Sequence, residues 1–93
     1  MWRLKRTEDE DRIVLSLSGR LEGEQLLELQ RVFASVPATQ SLTLDLKDLR
    51  LVDQDVVRFL EDCEAGGADL RNCPAYIREW ISAERAAKES VAE

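Results

Sequence analysis

Between Leu51 and Leu60 the chain reads LVDQDVVRFL, and Asp53 and Asp55 fall where an apolar helix should begin. Two carboxylates at a helix start can do three kinds of work. One can cap free backbone N–H groups of the first turn. Two in unlike surroundings can divide acid and base roles. Either can present a fixed charge to a partner. Gln54 stands between them, and Arg58 follows about one turn on, spaced to pair with Gln54 or Asp55 along the helix surface. Asp45 lies upstream on a strand, pointing away from Leu44 and Leu46. Ligand crevices form near the C-terminal ends of strands in α/β sheets. Asp45 therefore either lines the same patch or caps a neighbouring loop.

The other ingredients of catalysis are scarce. The chain has no histidine, which removes the commonest general base and metal ligand. Cys63 and Cys73 are the only thiols; they form no CxxC and no paired zinc motif, and read as small buried hydrophobes. No nucleophile–base pair, metal cage or glycine-rich phosphate loop is present, and Gly66-Gly67 reads as a helix stop. A non-enzymatic protein without metal or cofactor is expected. Thirteen basic against nineteen acidic residues give a net charge of −6. The densest basic group, Arg3, Lys5 and Arg6, is followed at once by the acidic run Glu8 to Asp11. Such a domain repels phosphate backbones, so nucleic acid is not an expected partner. MWRLKRTEDE has no apolar h-region, and no stretch approaches the ~18–20 apolar residues of a membrane span. The expectation is a cytoplasmic protein with reduced thiols and no membrane insertion.

The elements that would position the acidic residues follow from periodicity. The length of 93 residues and an apolar fraction of 44% suit one domain with one core. Trp2 and Leu4 alternate with Arg3 and Lys5 as in a strand with one wet face; Glu8 to Asp11 reads as a polar turn. RIVLSLSG reads as a second strand ended by Gly19, making an antiparallel hairpin. From Gly23 to Val36, Leu26, Leu29, Phe33 and Val36 fall on one helical face flanked by Leu27 and Val32, and Pro37 breaks the helix. SLTLDLKDL is a period-2 strand. The helix capped by Asp53 carries Val56, Val57, Phe59, Leu60 and Cys63 inward. ADLRN is a short strand, parallel to the one before it. Pro74 suits the first turn of a last helix, in which Ile77, Trp80 and Ile81 dock on the core. Tyr76 is either core or an exposed aromatic contact. The prediction is an α/β domain over residues 1–82, ordered β-β-α-β-α-β-α. It has a small mixed sheet of about four strands with helices packed on it. Residues 83–93 lose the apolar stripe and are expected to form a solvated helix or mobile tail.

A hairpin ending in LSGRL, a helix, an LDL strand, then LVDQD opening an apolar helix: this order resembles the STAS domain of sulphate-transporter tails and bacterial anti-sigma factor antagonists. The resemblance runs from about Trp2 to Ile81 and is strongest in LTLDLKDLRLVDQDVVRFL; ADLRNCPAYIREWI is similar to the end of small stand-alone bacterial members. Family members carry an Asp-Ser-Ser/Thr-Gly-Leu pattern at this helix start. Matched by position, Asp53 keeps the family's Asp, Gln54 replaces the first hydroxyl, Asp55 replaces the phosphorylated Ser or Thr, and Val56 and Val57 replace Gly and Leu. The resemblance implies a non-catalytic protein–protein interaction module without the phospho-acceptor hydroxyl. Asp53, Gln54, Asp55, Arg58 and Asp45 are its candidate partner-binding residues. The implied partner is an anti-sigma or kinase-like protein. The alternative is an adaptor subunit of a larger assembly, such as a lipid-transport ATPase complex or a stress-signalling complex. As an isolated chain it would be a monomer or weak homodimer. Asp55 has three readings: a helix-start residue, a mimic of the phosphorylated state, or a direct contact of fixed charge. Mimicry is chemically imperfect, since a carboxylate carries one charge against roughly −1.5 to −2 for a phosphoserine.

Overall fold

The computed structural model describes residues 2–37 and 40–91. Its elements are β1 (Trp2–Asp9), β2 (Arg12–Leu21), α1 (Gly23–Ala34), β3 (Ser41–Val52), α2 (Gln54–Ala65), β4 (Asp69–Arg71) and α3 (Ala75–Val91). The order β-β-α-β-α-β-α is the predicted one. The strands form a four-stranded mixed sheet ordered β1-β2-β3-β4. β1 runs antiparallel to β2; β2 and β3, and β3 and β4, are parallel.

Alternation decides which side of the sheet faces inward. Ile13, Leu15 and Leu17 of β2 are buried, while Val14, Ser16 and Ser18 between them are only half-buried. The inward residues join Leu44, Leu46, Leu49 and Val52 of β3, Leu29 of α1, Val56, Val57 and Leu60 of α2, and Ile77 and Ile81 of α3 in one hydrophobic cluster. Phe33 and Phe59 close the α1–α2 seam edge to face, with ring centres 4.9 Å apart. Trp80 is half-buried against the same core.

Local details differ from the sequence reading. The hairpin turn is only Glu10-Asp11; Glu8 and Asp9 remain in β1, where they pair with Ile13 and Arg12. Gly19 does not end β2. It has φ +88°, sits beside a shift in the β2–β3 register, and the strand continues to Leu21. Opposite Ser16–Ser18 and again opposite Gly19–Arg20, β3 carries one extra residue. Each insertion moves the inward phase by one, so the buried apolar positions run Leu44, Leu46, Leu49, Val52 rather than every second residue. The strand thereby extends to Val52 and delivers Asp53 directly to α2. α1 ends at Ala34, short of Val36, with Ser35 as C-cap. α2 stops as expected. The N–H of Ala68 donates to the Cys63 carbonyl and that of Gly67 to Glu64, a double closure that needs the positive φ of Gly67 (+106°). Pro74 lies just before α3, and its carbonyl accepts from the Arg78 N–H.

α3 continues without a break past Ser82 to Val91. Ion pairs with α2 hold it: Arg78 to Glu64 at 2.9 Å, Arg85 to Glu64 at 2.8 Å and Glu61 at 3.5 Å, and Lys88 to Glu61 at 3.3 Å and Asp62 at 3.1 Å. The last residues of the expected tail, 92–93, lie outside the described residues.

Candidate functional site

Right after the C-terminal ends of β2 and β3, two helices begin side by side. Asp53 is the N-cap of α2: its Oδ1 accepts from the Val56 N–H at 3.0 Å. Its Oδ2 accepts from the Gly23 N–H, the first residue of α1, at 2.7 Å. One carboxylate therefore ties both helix starts together, and both its oxygens are occupied. At α1, Gln25 Oε1 accepts from the Glu22 N–H at 2.9 Å.

Asp55 is different. It is exposed in the first turn of α2. A Cβ built on Gly23 would stand 3.0 Å from Asp55 Oδ2 and 3.4 Å from Asp53 Oδ2. The Asp55 carboxylate thus lies over the start of α1 as well as in its own helix, where two sets of backbone dipoles present their positive ends. Among the described residues it accepts no hydrogen bond and makes no ion pair, so its charge is open to solvent. Gly23 was not singled out in the sequence. A glycine as first helical residue, where better helix formers are available, is the signal that could have found it.

Gln54 and Arg58 turn away from Asp55. The side chain of Gln54 donates to Glu84 Oε1 of α3 at 3.2 Å, and Arg58 Nε donates to the same oxygen at 3.0 Å. The expected pairing of Arg58 with Gln54 or Asp55 is replaced by a link between helices, because Glu84 offers a less exposed acceptor across the α2–α3 groove. Asp45 stands apart. Its Oδ1 accepts from the Lys47 N–H at 3.0 Å and from Asn72 Nδ2 at 3.3 Å, fixing the β3 bulge and the positive-φ residue after β4. It lines a depression of about 420 Å³ with Arg3, Lys5, Ser16 and Asp48 on the other sheet face. The structure therefore brings Asp53 and Asp55 together at the start of α1, turns Gln54 and Arg58 to Glu84 of α3, and removes Asp45 from the group.

Around the helix starts, Leu51 (49% exposed) precedes Asp53 by two residues, and Leu27 (61% exposed) lies one turn along α1 from Gly23, on the same stripe. Tyr76 is exposed, and its hydroxyl donates to the Arg50 carbonyl, beside Leu51. An exposed carboxylate among solvent-facing apolar side chains can accept a cation or N–H donor while apolar surface is covered around it. Both thiols are free and half-buried. Burial, reinforced by the Asp62 charge, pushes Cys63 up to about 12, and burial also raises Cys73, so neither favours the thiolate. Among the described residues no group of three or more His, Cys, Asp or Glu could hold a metal ion, and no helix is long and apolar enough to cross a membrane. No protein-family model matches the chain, and no curated protein matches its sequence.

Proposed function

We propose that the chain is a non-catalytic, cytoplasmic protein–protein interaction module of the STAS type, in which Asp55 supplies a fixed negative charge that a protein partner reads directly. One observation carries this reading. Of the two acidic residues at the helix start, Asp53 is consumed by two backbone N–H groups, while Asp55 is exposed over the meeting of α1 and α2 with no partner among the described residues. Asp53 already caps α2, so Asp55 is left with a favourable place in the helix dipoles and a charge open to solvent. The complementary group is an Arg, a Lys or an N–H donor of the partner. The absence of a hydroxyl at position 55 suits an adaptor subunit of a larger assembly as well as a module of the anti-sigma antagonist kind. Neighbouring genes discriminate: a transport ATPase on one side, a kinase and phosphatase on the other.

The test compares wild type, Asp55→Asn and Asp55→Ser as baits in native lysate, with bound proteins identified by mass spectrometry and their affinities then measured with purified components. A partner held by wild type and weakened roughly tenfold by either substitution is the expected result. Equal affinity for all three baits overturns the contact. A kinase-like protein held only by the serine form would instead make Asp55 a locked imitation of the phosphorylated state.

A further inference from the structure

β1 is a sheet edge unlike the opposite one. On the far side β4 has three residues, and β3 beyond it is interrupted by two register shifts, so that edge is short and irregular. β1 has eight residues in unbroken register with β2, from Trp2 opposite Gly19 to Asp9 opposite Arg12, with no proline and no bulge. Such an edge is a ready template for another strand, and native proteins usually blunt it with bulges, proline or charge. β1 is charged, but with both signs, sorted by half. About Thr7 the strand residues K-R-T-E-D are antisymmetric: Arg6 mirrors Glu8 and Lys5 mirrors Asp9. A strand running antiparallel across a two-fold axis at Thr7 meets the opposite charge at both of these positions.

We infer that β1 is a self-recognition edge, and that two copies of this chain join antiparallel through it, with the two Thr7 residues facing each other on the axis. The backbone permits this register. In a hairpin with a two-residue loop the closing pair, Asp9 and Arg12, exchanges hydrogen bonds, so the odd-numbered residues of β1 turn their backbone groups to β2. The even-numbered residues turn theirs outward. In the Thr7-centred register Arg6 of one copy and Glu8 of the other exchange N–H···O bonds, twice over. Lys5 and Asp9 then face each other at the closer, non-hydrogen-bonded positions, where side chains interact most. A register centred on Lys5 or Arg6 would set like charges on the axis. Within one copy, Lys5 and Asp9 make no ion pair among the described residues, and Arg6 reaches Glu8 only at 3.7 Å, with Glu8 well exposed. Five residues from each strand make a small interface, so the dimer is weak.

Sedimentation equilibrium from about 10 μM to about 1 mM, spanning the range of weak association, tests this on the full chain. Wild type should pass reversibly from monomer to dimer; a monomer throughout overturns the proposal. Lys5→Glu and Asp9→Lys each set two like-charge pairs across the axis, and each should weaken dimerisation roughly tenfold or more. Mixed together, the two variants should form a heterodimer at least as readily as wild type dimerises, because both facing pairs are then opposite in charge. Failure of the mixture to associate overturns this register. Asp9→Lys also meets Arg12 within its own hairpin, so thermal melts must show each variant folded. Arg6→Pro provides an independent arm. It removes an outward N–H without touching the β1–β2 ladder, and a dimer that survives it does not use this edge.

Discussion

Asp53 makes its contribution as a single side chain shared by two helices, and that sets it apart from Asp55, two residues on. Replacing Asp53 with Ala frees the Val56 and Gly23 N–H groups at once. Losing an N-cap costs about 1 kcal/mol, and a second hydrogen bond to a charged acceptor adds roughly as much or more. Asp53→Ala should therefore destabilise the fold by about 2–3 kcal/mol in urea denaturation. Asp55→Ala loses only a favourable place in two helix dipoles and should cost about 0.3–1 kcal/mol. Similar losses for the two would mean that Asp55 is a second structural clamp, and the case for reserving its charge for a partner would collapse. The capping role of Asp53 was legible in the sequence, because the Asp stands just before an apolar helix. Its second bond was not. Nothing local in LVDQD announces that the start of α1, thirty residues earlier, comes within 2.7 Å. Arg58 failed for the same reason: periodicity along one helix cannot see an acceptor on another.

At the scale of elements, alternation and helical spacing were enough to order all seven segments, because each has one face to bury. What they could not show were events between strands. The two extra residues in β3 are visible only against β2, and the strand they belong to runs past Leu49, where its period-2 reading stopped, to Val52. Among the described side chains, none after Ile81 is buried, in keeping with the loss of the apolar stripe after Ser82. That loss does not mark where the helix stops, because Glu61 and Glu64 on α2 reach Arg85 and Lys88 on α3. Glu64 gives this seam a pH dependence. Its hydrogen bond to Arg78 holds its carboxyl below the ordinary value of 4.5; partial burial opposes this, and Arg85 adds to the lowering. A depressed folded-state value means that the stabilisation is complete above 4.5 and is lost as pH falls through the lower folded value. Wild type should thus be more stable than Glu64→Gln at neutral pH, and the gap should close below pH 4.5. Comparing the two proteins cancels the titration of their shared carboxylates. A gap that stays constant into acid would show that Glu64 contributes by packing rather than by its charge.

For the molecule as a whole, the question is where cooperative structure ends. The fourteen buried apolar residues among those described belong to one cluster, and the last of these is Ile81. Beyond it, the described side chains of α3 are polar or small and hold α2 through exposed or half-buried ion pairs. Pairs of this kind contribute little individually. Glu61 is the exception in burial, at 6% exposed, and both cations on its carboxylate, Arg85 and Lys88, come from this helix end. Removing that end opens the side of the carboxylate that these cations occupy, so water can replace them and the penalty for stranding a buried charge is reduced. Ile81 has no such escape. It is fully buried, and Ile81→Ala leaves a cavity in the shared core at a cost of about 2–5 kcal/mol. A chain ending at Ser82 should therefore fold, and should lose less stability in urea than the single change Ile81→Ala in the full-length chain. If the truncation proves the more damaging of the two, the end of α3 belongs to the cooperative unit and the ion-pair seam acts as a network rather than as separate weak pairs.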